Sequence, residues 1–245
     1  MTGWRARIGL LVPSSNTTVE VEFPPAVPTG VATHVARLSL ESVTADALDA
    51  MGEEASRAAE LLSHAGVDAV AYACTTGSLL HGPGYDAELE DELSTAAGAP
   101  AVATALSVDR ALSALDVERV AVATPYVADL NEREREYLEA AGFEVVAIEG
   151  RAIEANREIG ALDPEDAYRQ ARSIASDGAA DAVFVSCTNY RTLAAIEPLE
   201  DDLGVPVVTS NQATLWDVCR VADVAVDGPG RLFDVESAGT SEPNR

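Results

Sequence analysis

Two eight-residue stretches with nearly the same sequence decide how this chain is expected to fold. Residues 68–75 read DAVAYACT, and residues 181–188 read DAVFVSCT. In each stretch an aspartate precedes a short apolar run, and a cysteine follows soon after that run. A short apolar run of this kind is typical of a strand that is buried on both faces of a parallel sheet. Each stretch therefore predicts a central strand that ends just before a cysteine, Cys74 or Cys187.

The two halves of the chain share more than this one motif. RARIGLLV before Pro13 resembles ERVAVAT before Pro125, and GAPAVAT at 98–104 resembles GVPVVT at 204–209. The three pairs occur in the same order at nearly the same spacing. Segments with helical periodicity, such as 46–65, separate the apolar runs. This repeat predicts an α/β fold with two similar lobes related by a pseudo-two-fold axis, each a doubly wound parallel sheet, with the active site in the cleft between them.

The repeat also predicts where the lobes divide. The first lobe is expected to cover residues 1–115 and the second to cover residues 116–212, because the third pair of motifs ends near that point. Residues 213–226 contain a helical pattern, which we expect to pack back on the first lobe. Residues 227–245 are rich in Gly, Ser, Glu and Pro, a composition typical of a tail that lies loosely on the surface.

The charge of the chain is strongly one-sided. It has 41 Asp plus Glu against 16 basic residues, for a formal net charge of −25, and every basic residue is an arginine. We predict a halophilic protein, because at molar salt the Debye length falls to ~3 Å and self-repulsion is screened. The alternative is an ordinary acidic mesophilic enzyme. Since no basic stripe is present to release counterions, neither nucleic acid nor a membrane is an expected partner.

Cysteine usage and the missing lysine limit the chemistry. The three cysteines form no C-x-x-C pair and the three histidines are scattered, so neither a disulfide framework nor a metal site is predicted. We expect no secretory leader, and no apolar run in the sequence reaches membrane-spanning length, which together predict a cytoplasmic protein with reduced thiols. Without lysine, a pyridoxal Schiff base, a lysine-dependent aldolase and a Walker A loop are excluded. We expect no metal and no organic cofactor.

The placement of Cys74 and Cys187 predicts a site between the lobes. Ligands of open parallel sheets bind beyond the carboxyl ends of the strands, and both thiols follow such an end, where a helix is expected to begin. Thr75 and Thr76 follow the first thiol and Thr188 follows the second, which supplies hydroxyl and amide groups to a carboxylate. A helix N-terminus also lowers the pKa of a neighbouring thiol. Two activated thiols around a small acid suit proton transfer or addition to a double bond.

Five other residues are candidates for the site or for purely structural roles. Asn16 follows the first predicted strand and Tyr126 takes the equivalent place in the second half. Each suits a hydrogen bond to a carboxylate or an enolate oxygen, although an ordinary turn Asn and a half-buried Tyr would explain them as well. The loop around Asn156 favours a structural role on pattern alone. Cys219 lies on a helical face, which favours the core, whereas His81 is a candidate for the rim of the cleft.

Five motifs in order give the chain a resemblance to a known family. They are PSSNT at 13–17, ACTTGS at 73–78, TPY at 124–126, NREIG at 156–160 and SCTNYRT at 186–192. Together they resemble the maleate cis-trans isomerases of the aspartate/glutamate racemase superfamily, which also includes arylmalonate decarboxylase. The resemblance extends to about residue 215. It implies a cofactor-independent isomerase acting on a small carboxylic acid such as maleate, and by analogy it allows a homodimer.

The resemblance also implies roles for individual residues. Cys74 matches the nucleophile that adds to the double bond of maleate, and Cys187 matches its acid/base partner. Rotation about the resulting single bond and elimination then give fumarate. Asn16, Tyr126 and Asn156 match residues that hold the carboxylates.

Other activities remain open within the same superfamily. A racemase of an amino acid or a related acid also keeps both thiols, each acting on one face of the substrate. Arylmalonate-type decarboxylases have glycine at the first cysteine position, so the presence of Cys74 disfavours decarboxylation. Thr76 stands where the isomerases are expected to have serine, which leaves the substrate open. A non-catalytic protein that only binds a small acid is a further alternative.

Overall fold

The strands of the computed structural model, which describes residues 3–175 and 178–239, form two parallel four-stranded sheets. The first sheet, in the order β2-β1-β3-β4, contains β1 (Ala6–Pro13), β2 (Val31–Leu38), β3 (Ala69–Tyr72) and β4 (Ala101–Ala103). The second, in the order β6-β5-β7-β8, contains β5 (Arg119–Thr124), β6 (Glu144–Gly150), β7 (Ala182–Val185) and β8 (Val207–Thr209). The predicted α/β fold of two similar doubly wound sheets is confirmed.

Helices connect the strands and cover the sheets. Those of the first half are α1 (Val19–Ala26), α2 (Ala45–Gly52), α3 (Ala55–Ser63), α4 (Thr75–Leu79), α5 (Tyr85–Ala97) and α6 (Thr104–Ala114). Those of the second half are α7 (Ala128–Ala140), α8 (Asn156–Ile159), α9 (Pro164–Ile174), α10 (Ile196–Leu203), α11 (Ser210–Val221) and α12 (Arg231–Gly239). A short 3₁₀ turn, Leu193–Ala195, precedes α10. None of the helices in the described ranges is both long and apolar enough to span a bilayer.

The two central strands β3 and β7 are buried at every position, as expected for apolar strands covered on both faces. The helix expected over residues 46–65 is instead two helices, α2 and α3, interrupted at Glu53 and Glu54. Glu54 lies at this break, and its carboxylate accepts a hydrogen bond from the backbone N–H of Ser39 (2.9 Å). The periodicity therefore identified the helical segment but not the break within it.

Helix α11, from the predicted segment 213–226, contacts α6 through buried polar groups. The hydroxyls of Thr104 and Thr214 lie 2.9 Å apart, and the Ser107 hydroxyl donates to the Asp217 carboxylate at 2.9 Å. The lobe boundaries themselves stay a prediction.

The tail differs from the sequence-based expectation. Helix α12 begins at Arg231, and the next two side chains, Leu232 and Phe233, are buried. The Arg231 backbone N–H also donates to the Glu200 carboxylate at 3.0 Å. Leu232 and Phe233 are thus packed rather than loose, because burial of two apolar side chains outweighs the polar composition around them. Residues 240–245 of the predicted tail lie outside the described residues.

Candidate active site

One pocket lies beyond the carboxyl ends of the central strands of both sheets. It is lined by Pro13, Asn16, Leu40, Val43, Cys74, Thr75, Thr76, Tyr126, Asn156, Cys187, Thr188 and Asn189. All eight residues expected at the site from sequence are in this lining. The free space in the cavity is small, about 10 Å³, and both thiols are almost completely buried in its walls. A small ligand bound here would contact groups from both halves of the repeat.

The first thiol lies on what we call the Cys74 turn, residues 73–78. Cys74 has extended backbone (φ −148°) and immediately precedes α4, as expected from the sequence. Its Sγ accepts a hydrogen bond from the backbone N–H of Gly77 and lies 3.9 Å from the Thr76 hydroxyl. A Cβ on Gly77 would lie 3.1 Å from this sulfur and 2.9 Å from the Tyr72 hydroxyl. Only glycine therefore lets the helix N-terminus approach the thiol this closely.

The second thiol lies on the Cys187 turn, residues 186–192, which is built differently. Cys187 has φ +97°, in the left-handed region that a non-glycine residue rarely adopts. The helix expected to begin directly after it is absent, because the chain turns there, and regular structure resumes only at Leu193. The Cys187 sulfur accepts hydrogen bonds from the Tyr126 hydroxyl and, at 3.4 Å, from the backbone N–H of Asn189.

The electrostatics of the two thiols contradict the expectation of lowered pKa values. Burial raises the pKa of Cys74 to about 11, and the hydrogen bonds from Gly77 and Thr76 offset only part of this effect. Burial likewise raises the pKa of Cys187 to about 12, against the opposing hydrogen bonds from Tyr126 and Asn189. The physical reason is that removing a thiolate from water costs more than these few donors return. In the unliganded pocket both groups are therefore neutral thiols at pH 7.

Asn16 connects the two halves of the site and is oriented as a donor. Its Oδ1 accepts the backbone N–H groups of Thr18 (2.9 Å) and Val19 (3.0 Å), so its amide nitrogen is directed elsewhere. That nitrogen donates to the Thr188 hydroxyl at 3.2 Å, and Thr188 in turn donates to the Ala73 carbonyl at 3.0 Å. The local turn thus fixes Asn16 so that its N–H group is available to an anionic ligand.

Asn156 is the first residue of the short helix α8 rather than a loop residue, and it is buried. Its amide donates to the Ser15 hydroxyl at 2.8 Å. Its backbone carbonyl and Oδ1 accept hydrogen bonds from the Asn189 amide, at 2.7 Å and 3.1 Å respectively. The structure therefore places Asn156 in the pocket wall, where the family resemblance put it and the local pattern did not.

Several residues near the thiols were missed from sequence. Ser210 is the most informative: its hydroxyl oxygen accepts from the Cys187 backbone N–H at 3.0 Å and from the Thr75 hydroxyl at 2.8 Å. Its position just after the motif GVPVVT was the available signal. Asn189 lies within a quoted motif and could have been named. Leu40 and Val43 follow β2 and carry no sequence signal for a site.

Two candidates from sequence lie elsewhere. His81 does not line this pocket; its ring is exposed and pairs with Asp49 at 2.9 Å. Cys219 is buried on α11, in agreement with a place in the core. Over the described ranges, His, Cys, Asp and Glu side chains form no group of three or more that could hold a metal ion.

Together, the two-lobed α/β fold and the site define a class of protein: an enzyme that acts on a small carboxylic acid with a pair of thiols. The model of the arylmalonate decarboxylase family matches residues 8–233. The chain belongs to this family, and the resemblance to the maleate isomerases is confirmed by its relatives.

Characterised relatives include both isomerases and a decarboxylase. The maleate isomerase of Nocardia farcinica (strain IFM 10152) is 32% identical over 246 residues, 96% of this chain and 98% of that protein. The arylmalonate decarboxylase of Bordetella bronchiseptica is 36% identical over 205 residues, 80% of this chain and 84% of that protein. A solved structure of a cysteine-to-serine variant of the Nocardia farcinica maleate cis-trans isomerase, with a covalently bound succinylcysteine intermediate, has a TM-score of 0.87 at 31% identity, covering 93% of this chain and 98% of that one.

Proposed function

We propose that this protein isomerises maleate, or a similar small cis-dicarboxylic acid, to its trans isomer through a covalent adduct on Cys74. The observation that carries the proposal is the pairing of Cys74, at the N-terminus of α4, with Cys187 in one closed pocket lined by amide and hydroxyl groups. A succinylcysteine intermediate in a relative of 31% identity supports the same chemistry.

In the proposed reaction Cys74 first loses its proton to solvent water and then reacts as the thiolate, which is the minor form at pH 7 because its pKa is about 11. Its sulfur forms a bond to one alkene carbon, the π bond breaks, and the electron pair moves to the other alkene carbon and into its carboxylate. Cys187 then donates its thiol proton to that carbon, which gives a succinyl adduct. Rotation about the new single bond follows. Cys187 takes the proton back, the π bond re-forms in the trans geometry, and Cys74 leaves as a thiolate.

Donors around the pocket suit the charge that develops during addition. The enediolate carries extra negative charge on a carboxylate, and hydrogen-bond donors that are already in place stabilise it without reorganisation. We assign this role to the side chains of Asn16 and Asn156, and to Tyr126 once its hydroxyl turns from the Cys187 sulfur to the ligand. Because the pocket is closed, the same donors act in a medium of low polarity, where each hydrogen bond to an anion is stronger.

The test is turnover of a substrate panel (maleate, aspartate, glutamate and an aryl malonate) in molar KCl. We expect fumarate from maleate and no reaction of the other three. Exchange of the α-hydrogen of an amino acid with deuterated solvent would favour a racemase, and carbon dioxide release from the aryl malonate would favour a decarboxylase. Binding without turnover of any substrate would favour the non-catalytic alternative.

Further expectations from sequence stay predictions. The reaction needs no metal or organic cofactor, so dialysis against EDTA should leave the rate unchanged, and a rate that is lost and then restored by one added metal would contradict this. A cytoplasmic location, in which the three cysteines stay reduced, is one of these predictions. A homodimer, and the lack of nucleic-acid and membrane partners, also stay predictions.

A further inference from the structure

Helix α7 carries a buried carboxyl group that the reaction described above does not use. Glu134 is only 1% exposed, whereas Glu132 and Glu136 on the same helix are exposed. Its Oε1 accepts a hydrogen bond of 2.5 Å from the Ser186 hydroxyl. Its Oε2 is buried and has no hydrogen-bond partner in the described structure. Burying a carboxyl oxygen without a hydrogen-bond partner lowers the stability of the fold, so a functional role is needed to explain why this residue is a glutamate.

The surroundings of Glu134 connect it to the second thiol. Its one hydrogen-bonding partner, Ser186, immediately precedes Cys187, the residue held at φ +97°. The charged form of Glu134 acts on Cys187 and Tyr126 through space and raises the pKa of both. The carboxyl is thus close enough to influence the acid/base thiol and the phenol that donates to it, although it does not line the pocket.

The chemistry of this position favours an uncharged carboxylic acid. Among the ion pairs of the described residues, none includes Glu134, so no arginine compensates a negative charge there. Burial raises the pKa of Glu134 to about 8, and the hydrogen bond from Ser186 opposes this shift only in part. At pH 7 the group is therefore mostly protonated, and between pH 7 and pH 9 it passes to the carboxylate.

The neighbouring elements carry few other groups that titrate in this range. Tyr126 and Cys187 face Glu134 from the turns after β5 and β7, and Cys74 precedes α4, which packs on α7 from the first lobe. Strand β6 also packs on α7, and its acidic residues, Glu144 and Glu149, are exposed. The charged and titratable neighbours of Glu134 on its own helix are Glu132, Arg133, Arg135, Glu136 and Tyr137, the last bonded to Asp86 of α5.

We propose that Glu134 is a positioning residue that holds the Cys187 turn through Ser186 as a neutral carboxylic acid, and that its ionisation weakens turnover. The inference rests on the proposed function, because the expected substrate is a dianion. A carboxylate at position 134 would repel that dianion and would also make Cys187 a poorer proton donor. A neutral acid in the same place keeps the hydrogen bond to Ser186 without either effect.

The test compares Glu134→Gln with the wild type, because glutamine keeps the shape and cannot ionise. The control is Glu136→Gln, an exposed change two residues along the same helix. We measure kcat/KM for maleate from pH 6 to pH 9 and take the ratio of variant to wild type, in which titration of the thiols largely cancels. This ratio should rise roughly tenfold between pH 7 and pH 9 for Glu134→Gln, mainly through KM, and stay flat for the control. A flat ratio for both variants would overturn the functional part of the inference.

A second measurement does not depend on turnover. A carboxyl whose pKa is raised on folding binds its proton more tightly in the folded state, so its contribution to stability is full below about pH 4.5 and is lost as the pH rises through about 8. The melting temperature of Glu134→Gln should therefore gain on that of the wild type from pH 5 to pH 9, and the control should not. Parallel melting curves for all three proteins would overturn the neutral acid. If the wild type fails to convert maleate but the melting curves diverge as expected, the proposed function fails while the assignment of a neutral Glu134 stands.

Discussion

The Cys74 turn and the Cys187 turn begin with nearly the same residues, but in the folded protein their thiols lie in different chemical environments. Cys74 has extended backbone and precedes a helix that directs the Gly77 N–H to its sulfur. Cys187 has positive φ, precedes no helix directly, and receives a hydrogen bond from the Tyr126 phenol. The difference is the basis of the roles that we propose for the two thiols: Cys74 as the nucleophile and Cys187 as the proton donor.

The largest expected effect comes from Cys74→Ser. An alcohol with no adjacent base is not ionised near pH 7, so turnover should fall by about 10⁴-fold or more and no adduct should form. Mass spectrometry after incubation with maleate measures the adduct, and Cys219→Ala serves as a control that removes a thiol outside the pocket. An active Cys74→Ser variant with an adduct on Cys187 would reverse the assignment of the two turns.

Cys187→Ser should lower turnover by roughly 10²–10⁴-fold, the usual contribution of a general acid or base. Since the attacking thiol remains, a succinyl adduct on Cys74 should accumulate in this variant and be visible as added mass. Equal loss of activity in both cysteine variants, with no adduct in either, would instead indicate that the two turns play equivalent roles, as in a racemase.

Thiol labelling measures the reactivity of the two thiols directly. At pH 7 the thiolate fraction of Cys74 should be about a hundredfold below that of an ordinary thiol, because its pKa is raised from 9.0 to about 11. Iodoacetamide should therefore react slowly with both thiols at pH 7 and faster as the pH rises. Maleate should protect both. Rapid labelling of Cys74 at pH 7 would show that the pocket is open and hydrated in solution.

Ser210→Ala tests the group that joins the two turns. The change leaves the buried backbone N–H of Cys187 without its acceptor, which should cost about 1–3 kcal/mol of unfolding free energy. We expect a smaller loss of turnover than in either cysteine variant. Ser63→Ala, whose hydroxyl donates only to Glu60 within α3, is the matched control, and equal effects of the two changes on the denaturant midpoint would count against this joining role.

Salt should have the smallest effect on the difference between the Cys74 turn and the Cys187 turn. With a net charge of −25, folding stability and activity should both rise from dilute buffer to molar KCl, as repulsion between surface carboxylates is screened. Because both turns are buried, the activity of Cys187→Ser relative to wild type should change little over this range. Full stability at low salt would remove the halophile prediction and leave the roles of the thiols unaffected.

Much of the fold and part of the site could be predicted from the sequence, for local reasons. Apolar runs ending at Cys74 and Cys187 predict central strands because a strand buried on both faces must be apolar along its length. Placement of both thiols in one pocket follows from the rule that ligands bind at the carboxyl ends of parallel strands. By contrast, Ser210 and Glu134 contact the Cys187 turn from distant parts of the chain. In the sequence Glu134 does not differ from Glu132 and Glu136 on the same helix, which are exposed.

By itself, the sequence determined the strand-and-cysteine repeat, the acidic surface without lysine and the choice of residues around the pocket. Only the tertiary structure decided the charge states: both thiols have raised pKa values where a helix N-terminus predicted lowered ones, and Glu134 has a pKa of about 8. It also decided the positive φ of Cys187. The physical reason is that the two kinds of property depend on residues at different distances along the chain. Strand and helix patterns depend on neighbouring residues, whereas the removal of water from a charged group depends on every segment that packs around it.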